Sequence, residues 1–397
     1  MRIVYFITVL GLSLNSQALL GQHSHSHDGT HSHSHVTEPP VHGHNHEVEQ
    51  LFFFPDLENA VTLTCDFHMH TVFSDGSVWP DIRVQEALRE GVDCISTTEH
   101  LEYQPHASDI PHPDRNRAYE LAKSAAEGTE LLVIAGTEIT RQMPPGHTNA
   151  VFIQDANPIL TKNAMDAFAE AASQGAFIFT NHPQWTAQRK DGIARYEPMH
   201  LELIEKNMLH GIEVVNEHSY SDEALQLALD HNLTLIGTSD VHGLTDWMYE
   251  IPHGGHRPVT LVFADDHTPE SIREALFNQQ TVVWYNNLFI GRENWLVPIL
   301  QASLPIRVVG YQGNSDVLEV EIVNATHSEF ILRNTSDYTY HEDASVFTVE
   351  AQSVKKLQIK TLERLENLRI GFEVMNGILA PNTHPTIHYD LVIENEE

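Results

Sequence analysis

Short apolar runs alternate with amphipathic stretches between residues 51 and 295. The first helical stretch has Pro80 near its start and Gly91 just past its end, as helices prefer. This alternation predicts an α/β domain of parallel strands, either a barrel or an open sheet. The strand-like runs are VTLTCDF, VDCIST, ELLVIAG, AFIFT, GIEVV, LTLIG, VTLVF and TVVWY. The helical stretches are PDIRVQEALREG, KNAMDAFAEAASQG, HLELIEKNMLHG and SDEALQLALDHN.

The pattern changes at about residue 304, where short strand-like runs begin to follow one another without helices. Turn residues separate these runs, and regular spacing of short strands is typical of a β-sandwich. We therefore expect a small C-terminal β-sandwich over residues 304–397. It shows no set of metal ligands of its own, so we expect it to serve packing and stability.

The first fifty residues fit neither pattern. Arg2 precedes the apolar run Ile3–Leu12, so residues 1–20 are predicted to be a secretory signal peptide. The protein would then be secreted or periplasmic, and no other stretch is apolar enough to form an integral membrane segment. Residues 21–50 are rich in histidine and poor in apolar residues, which predicts a disordered segment that gathers metal ions. A purification tag is the alternative.

The net charge limits the class of binding partner, and the two cysteines raise the question of a disulfide. The chain has 22 basic and 55 acidic residues, a formal net charge of −33 at pH 7. Such a surface repels nucleic acid and anionic lipid, and it suits a small-molecule substrate held by local cations. Cys65 and Cys94 lie in strand-like runs, so we expect them to be buried apolar residues. A disulfide between neighbouring strands is the alternative in an exported protein.

The stretch CDFHMHTVFSDG introduces the candidate chemistry. Alternate side chains of a strand point the same way, so His68 and His70 stand side by side. Further metal-capable residues lie at the ends of later runs, and strand ends meet at one rim of an α/β barrel. A lone histidine is usually a core or surface residue, but this set predicts a metal site. The candidate ligands are His68, His70, Asp75, His100, Glu138, His147, His182, Asp240 and His242.

The size of the ligand set indicates more than one ion. Zinc uses about four ligands, so two or three divalent metal ions are expected, with Glu138 as a bridge between them. Mixed imidazole and carboxylate ligation suits zinc, manganese or iron. A cluster of this kind makes hydroxide near neutral pH and clamps the oxygens of a phosphoryl group.

The same motifs resemble those of a known family. The PHP (polymerase and histidinol phosphatase) superfamily has ordered motifs similar to HMHTVFSDG, TTEH, GTEIT, GHTNA, NHP and GTSDVHG. The signal peptide, EYQPH, TRQMPPGHTNA, NHPQW and HRPVTLVFA are similar to the secreted branch of Sb-PDE family phosphodiesterases. The resemblance implies a distorted (β/α)7, TIM-like barrel with up to three metals. The C-terminal β region lies outside it.

The resemblance also implies how the ligands divide among the ions. Many members of the superfamily have histidine where this chain has Asp75, and Glu99 would orient His100 from behind. The implied sets are His68, His70, Glu138 and Asp240 for one ion, Glu138, His147 and His182 for a second, and Asp75, His100 and His242 for a third.

The expected reaction is hydrolysis of a phosphodiester by a metal-bridging hydroxide. Beside the bridging Glu138, we expect Arg141 to hold the phosphate oxygens and His218 to serve as the general acid. Other candidates are Arg115, Arg117 and Arg257 as cations, His106 as acid, and Glu213 as either a structural or a substrate-binding residue.

Two other functions are alternatives at the level of sequence. A phosphomonoesterase of the histidinol-phosphatase type would use every metal ligand, although export argues against a biosynthetic role. A non-enzymatic exported metal-binding protein would use the histidine-rich segment, but it needs no rim of histidines and carboxylates. The alcohol groups of the ester, the native metal and the oligomeric state stay open at the level of sequence.

Overall fold

The computed structural model describes residues 52–393. The predicted signal peptide (residues 1–20) and histidine-rich segment (residues 21–50) lie outside this range. Within it, none of the helices combines the length and the hydropathy that a bilayer crossing requires.

The N-terminal part of the described chain alternates strands and helices. The strands are β1 (Val61–Met69), β2 (Cys94–Thr97), β3 (Leu132–Thr140), β4 (His147–Val151), β5 (Phe177–Thr180), β6 (Gly211–Asn216), β7 (Ser219–Tyr220), β8 (Thr234–Thr238), β9 (Val259–Ala264), β10 (Thr281–Tyr285) and β11 (Leu288–Gly291). The helices are α1 (Pro80–Glu90), α2 (Arg117–Ala125), α3 (Ala164–Ser173), α4 (Pro198–Glu205), α5 (Asp222–Asp230), α6 (Thr245–Met248), α7 (Pro269–Phe277) and α8 (Glu293–Ser303), with 3-10 turns at Asn157–Ile159 and Ile251–His253.

Local sequence explains where several helices begin and end. Pro80 occupies the first turn of α1, and Gly91 ends that helix in the left-handed conformation, with φ of 77°. The side chains of Asn163 and Ser221 cap α3 and α5, because each accepts a hydrogen bond from a first-turn amide. The expected helices are present, and α2, α6, α7 and α8 are additional.

The strands of this part form one mixed sheet. Its order runs β11–β10–β9–β1–β2–β3–β4–β5–β6–β7, and β8 pairs with β6. β1, β2 and β3 are parallel, as are β5, β6 and β8. β4 is antiparallel to both its neighbours, and β9 is antiparallel to β1 and β10. The expectation of parallel strands is therefore wrong at β4, β9 and β10. The short connection from β3 to β4 leaves no room for a crossover helix, whereas α7 lies between β9 and β10 although these strands are antiparallel.

The sheet curls so that the segment after β8 returns to the end of β1. The amide of His70 donates to the carbonyl of Val241 at 3.0 Å, and the amide of Asp240 donates to the carbonyl of His68 at 2.8 Å. The result is a curled half-barrel sheet of mixed α/β type. The α/β class is confirmed, whereas the strict (β/α)7 repeat stays a prediction.

The C-terminal part is all-β, as expected. One sheet has the order β12–β13–β17–β15 and the other β16–β14–β18–β20, so two sheets of four strands form this domain. The strands are β12 (Ile306–Tyr311), β13 (Val317–Asn324), β14 (Phe330–Asn334), β15 (Thr339–Tyr340), β16 (Val346–Val349), β17 (Ser353–Lys360), β18 (Asn367–Val374), β19 (Gly377–Ile378) and β20 (Thr386–Val392).

The two parts share one sheet edge and a continuous core. β19 leaves the C-terminal sheets and pairs in parallel with β11, with Phe289 opposite Gly377. The ring of Phe289 also stacks on Phe330 at 5.2 Å between centroids. The indole of Trp284 donates to the hydroxyl of Ser328 at 3.2 Å. The C-terminal domain therefore docks through main-chain bonds and aromatic packing.

The two cysteines lie opposite each other on neighbouring strands. Cys65 of β1 is in register with Cys94 of β2, and both are buried and free. Burial raises the pKa of the Cys65 thiol well above its usual value, and Cys94 beside it adds to the shift. Both cysteines are thus buried core residues, as expected from the strand-like runs in which they lie, and no disulfide joins them.

Arg257 belongs to a buried ion-pair network below the rim. Its side chain is 0% exposed, and its guanidinium contacts Glu90 at 2.8 Å and Asp66 at 3.2 Å. Those carboxylates hold the pKa of Arg257 above its usual value although burial opposes the charge. Arg257 is therefore not available to a substrate, which corrects its candidacy as a phosphate-binding cation.

We expect the Arg257→Met substitution to lower the free energy of unfolding by about 3–5 kcal/mol, because it leaves two buried carboxylates without their cation. The matched control is Arg333→Met, which breaks a surface pair with Glu373 and is expected to cost at most about 1 kcal/mol. Guanidinium unfolding followed by circular dichroism measures both. Equal losses for the two variants would contradict the structural role of Arg257.

Candidate metal centre

The first ligand group lies where β1 ends. His68 and His70 point to the same side of the strand, and their Nε2 atoms are 3.1 Å apart. Oδ1 of Asp240 lies 3.1 Å from each of these nitrogens. Ligand atoms on one tetrahedral zinc ion are separated by about 3.3 Å, since each bond is about 2.0 Å long. The three atoms thus have the spacing of ligands on a single ion.

Glu138, at the end of β3, extends between ligand groups. Its Oε2 lies 3.5 Å from Nε2 of His70 and 2.6 Å from Nδ1 of His100. Its Oε1 lies 2.7 Å from Nδ1 of His147. His147 begins β4, and because β4 is antiparallel, its first residue meets the ends of its neighbours. This arrangement suits the bridging position expected for Glu138.

A further group forms around Asp75, in the loop after β1. Its Oδ1 is 3.2 Å from Nε2 of His242, and its Oδ2 is 3.4 Å from Nε2 of His100. His70 adjoins this group, since its ring stacks on His242 with centroids 4.3 Å apart. Asp75, His100 and His242 are the residues that the resemblance implies for the third ion.

His182 is the one candidate ligand that belongs to none of the ligand groups found among the described residues. Its Nε2 is 4.0 Å from Oδ2 of Asp240, and its ring centroid is 5.1 Å from that of His147. In place of the expected set of Glu138, His147 and His182, the ligand atoms that come within reach of one ion here belong to His100, Glu138 and His147. His182 adjoins this group, with its backbone in the left-handed region at φ of 27°.

The charges of the centre are strongly coupled. Burial, followed by the positive charges of His242 and His100, lowers the pKa of His70 to about 3. Burial also disfavours charge on His100, but the carboxylates of Glu138 and Asp75 outweigh it and raise its pKa to about 10. The pKa of His68 is likewise raised, because Asp240 and Glu213 outweigh the burial of its ring.

Several buried ligand atoms are close to one another but lack hydrogen-bond geometry. Buried polar atoms are nearly always hydrogen-bonded, so a cluster of exceptions needs an explanation. A shared cation provides one, because it contacts lone pairs that point toward a common centre. The donor set therefore fits divalent metals. The atoms concerned are Oδ1 of Asp75, both carboxylate oxygens of Glu138, Nδ1 of His147, Nδ1 of His182 and Oδ1 of Asp240.

Glu213 fixes the orientation of His68. It lies within β6 and its side chain is buried. Its carboxylate accepts from Nδ1 of His68 at 2.7 Å and from the hydroxyl of Thr238 at 2.6 Å. It also accepts from the backbone amide of His182 at 2.6 Å. A carboxylate behind a metal-binding imidazole commonly sets its tautomer and orientation. The open question about Glu213 is thus answered in favour of a structural hydrogen bond.

Glu99 supports a different histidine from the one expected. Its carboxylate accepts from the hydroxyl of Thr71 at 2.6 Å and from the hydroxyl of Ser74. The Ser74 hydroxyl in turn lies 3.2 Å from Nδ1 of His70. Nδ1 of His100 instead lies 2.7 Å from the hydroxyl of Thr140, in addition to its contact with Glu138. Glu99 therefore acts on His70, and its expected role behind His100 is corrected.

Two further candidates, Arg141 and His218, have partners away from the ligands. Arg141 pairs with Glu102 at 2.8 Å and donates to the carbonyl of Thr161 at 2.5 Å. His218 is exposed, with Nδ1 at 2.9 Å from the hydroxyl of Tyr285. None of Arg115, Arg117, Arg141, His106 and His218 lines the cavity described next.

A cavity of about 140 Å³ opens above the ligands. Sequence reasoning missed three of its lining residues, Trp185, Asn216 and Glu217, although Asn216 and Glu217 stand at the end of β6 where the strand-end rule applies. A larger cleft of about 590 Å³ lies between α2 and α7 and shares none of these residues, so size alone does not identify the site. The lining residues are Asp75, His100, His147, His182, Trp185, Asn216, Glu217, Asp240 and His242.

Comparisons with known proteins agree with this architecture. A two-domain protein from Bacteroides vulgatus, containing a predicted PHP-like metal-dependent phosphoesterase, is 41% identical with a TM-score of 0.79. The match covers 86% of this chain and 98% of that chain. The family model DUF5001, described as an Ig-like domain, matches residues 304–390. None of the curated proteins compared with the chain matches it.

Two more distant structures cover only part of the chain. A protein from Bifidobacterium adolescentis, proposed to be a metal-dependent phosphoesterase, is 16% identical with a TM-score of 0.36, covering 45% of this chain and 88% of that chain. An amidohydrolase from Chromobacterium violaceum, solved with sulfate and no metal, is 15% identical with a TM-score of 0.34, covering 45% and 87%. These similarities are too low to decide anything about the site.

We expect Glu213→Gln to weaken metal binding by about 10–100-fold, since the amide no longer fixes the tautomer of His68. Equilibrium dialysis against a zinc buffer measures the dissociation constant. Glu321→Gln is the control, because Glu321 is a buried carboxylate of the C-terminal domain that pairs with Arg307. Unchanged affinity in the Glu213 variant would mean that His68 needs no such partner.

Metal binding is expected to release about two to three protons at pH 7, from the three ligand histidines whose pKa values the nearby carboxylates raise, His68, His100 and His242. His70 contributes none, because its pKa of about 3 already leaves it neutral. Protons compete with the metal, so affinity should rise as the pH rises from 6 to 8. Calorimetric titration in buffers of different ionisation enthalpy counts the protons, and heats that do not depend on the buffer would refute the assignment.

Proposed function

Since the chain belongs to the family of two-domain proteins with a PHP-like metal-dependent phosphoesterase domain, we propose that it hydrolyses phosphodiesters. The observation that carries the proposal is the convergence of buried ligand atoms without hydrogen bonds on one small cavity. Two or three divalent ions, of zinc, manganese or iron, would occupy these groups.

The ligand groups divide the work of holding the ions. His68, His70 and Asp240 would hold one ion, and Asp75, His100 and His242 another, with Glu138 and His147 between them. When bound, such ions activate water at neutral pH and offset the negative charge of a phosphoryl group. Glu213 and the Glu99–Ser74 pair keep the imidazoles of β1 in position.

The charge of the cavity favours a diester over a monoester. Its lining includes Asp75, Glu217 and Asp240, whereas no lysine or arginine is found among the lining residues that the structure describes. A phosphomonoester carries nearly two negative charges at pH 7, since its second pKa is about 6, and a diester carries one. Without a side-chain cation for the second charge, the chain is better suited to diesters than a histidinol-phosphatase-type enzyme would be.

The setting of the enzyme is part of the same proposal. The signal-like start of the sequence and the histidine-rich residues 21–50 support an exported enzyme whose N-terminal segment gathers metal ions. The motif similarity to the secreted Sb-PDE phosphodiesterases supports this branch of the superfamily. Detection of the mature protein in the periplasm or the medium, with residues 1–20 removed, would test the location.

His70→Ala and Glu138→Gln are expected to lower turnover of bis(p-nitrophenyl) phosphate at least about 1000-fold, because each removes a ligand from the centre. Chelation of the wild-type metal should have the same effect. Glu321→Gln, with its carboxylate in the C-terminal domain, should keep wild-type turnover. Release of p-nitrophenolate is the measurement, with circular dichroism to confirm folding.

The same assay separates the competing functions. Wild-type turnover of p-nitrophenyl phosphate should be at least about 100-fold slower than that of the diester. Faster hydrolysis of the monoester would favour the histidinol-phosphatase type. A metal-loaded protein that hydrolyses neither ester would be a metal-binding protein, and full activity in both ligand variants would disprove the active-site assignment.

A further inference from the structure

Trp185 is an exposed aromatic residue at the wall of the candidate active site. Its side chain is 45% exposed although it lines the metal-ligand cavity. The ring lies 5.0 Å from the ring of His182 and 5.5 Å from that of His147, measured between centroids. One part of the indole therefore packs on the ligands while a large apolar part faces solvent.

The segment that carries Trp185 is well anchored. The backbone amide of Trp185 donates to the carbonyl of His182 at 2.9 Å, and the amide of Arg189 donates to the carbonyl of Trp185 at 2.7 Å. Arg189 is buried, and its guanidinium contacts Glu197 at 2.6 Å. The indole is thus held in place before any ligand arrives, which lowers the entropy cost of packing against it.

The size of the cavity limits what it can enclose. Its volume is about 140 Å³, whereas pockets that enclose a drug-sized ligand measure about 300–1,000 Å³. There is room for the phosphate but not for both ester groups. At least one alcohol group must therefore lie at the mouth, where Trp185 offers an apolar surface and Glu217 disfavours a second negative charge.

We propose that Trp185 is the stacking surface for a neutral, flat aromatic alcohol group of the ester, so that the substrates are aryl-type or similar aromatic phosphodiesters. This inference rests on the proposed function and names its substrate class. Stacking of one aromatic group on a protein ring is worth about 5–150-fold in affinity. The indole thus contributes to ester binding and has no part in holding the metal.

Binding of two phosphinates to the metal-loaded, full-length protein tests this role without depending on turnover, because their P–C bonds cannot be hydrolysed. Diphenylphosphinate and dimethylphosphinate carry the same single charge and differ only in the groups on phosphorus. Calorimetry, or competition where binding is weak, should give diphenylphosphinate at least tenfold higher affinity on the wild type. Trp185→Ala should reduce that preference to below threefold, and Trp185→Phe should keep most of it.

Trp247→Ala is the matched control, because Trp247 is 79% exposed and does not line the cavity. It should leave the preference unchanged. A preference that survives in Trp185→Ala would overturn the inference. It would also be overturned if Trp185→Ala lost metal and bound both test compounds equally more weakly, because the indole would then only support His147 and His182. Failure of the proposed function shows up separately, as absent hydrolysis of bis(p-nitrophenyl) phosphate by a protein that still binds these phosphinates.

Discussion

Two backbone hydrogen bonds between distant parts of the chain hold the candidate centre together. They join Asp240 to His68 and His70 to Val241, at 2.8 and 3.0 Å. The segment after β8 is thereby fixed against the end of β1, and the carboxylate of Asp240 meets both imidazoles. Arg83 strengthens the junction, since its buried guanidinium donates to the carbonyls of His70 and Val241 at 3.0 and 3.1 Å. The ligand positions at the mouth depend on this junction.

The charges below the junction and those at the mouth are compensated in different ways. Below it, the buried carboxylates of Asp66 and Glu90 face the guanidinium of Arg257, which stays charged at physiological pH. At the mouth, the carboxylates face imidazoles, whose charge a metal can replace. Although burial disfavours their charge, the carboxylates raise the pKa values of His68 and His100, so a proton on either ring would compete with a metal ion. The arrangement of the ligands at the mouth therefore favours a metal ion.

The positions of the ligands could be predicted from sequence more fully than their partners. Strand ends gather at one rim whatever the loops do, so His68 and Asp240 were predictable, and Glu217 was within reach of the same rule. The antiparallel direction of β4 was not predicted, yet it still brings His147 to the rim. Partners of Glu99 and Arg141 depend on loops that pack from distant parts of the chain, which no local pattern records. The structure accordingly gives Glu99 a role other than the expected one and pairs Arg141 with Glu102, outside the ligand cavity.

The C-terminal domain contributes to the same site indirectly, through the edge of the sheet. An open edge exposes unpaired backbone groups, and β19 covers part of β11 by pairing Phe289 with Gly377. No group of metal-capable side chains is found in the described residues of this domain, 306–393. Its aromatic contact with β11 instead extends the core beneath β10 and β9, which pairs directly with β1. The domain therefore supports β1, the strand that carries His68 and ends just before His70, through β11, β10 and β9.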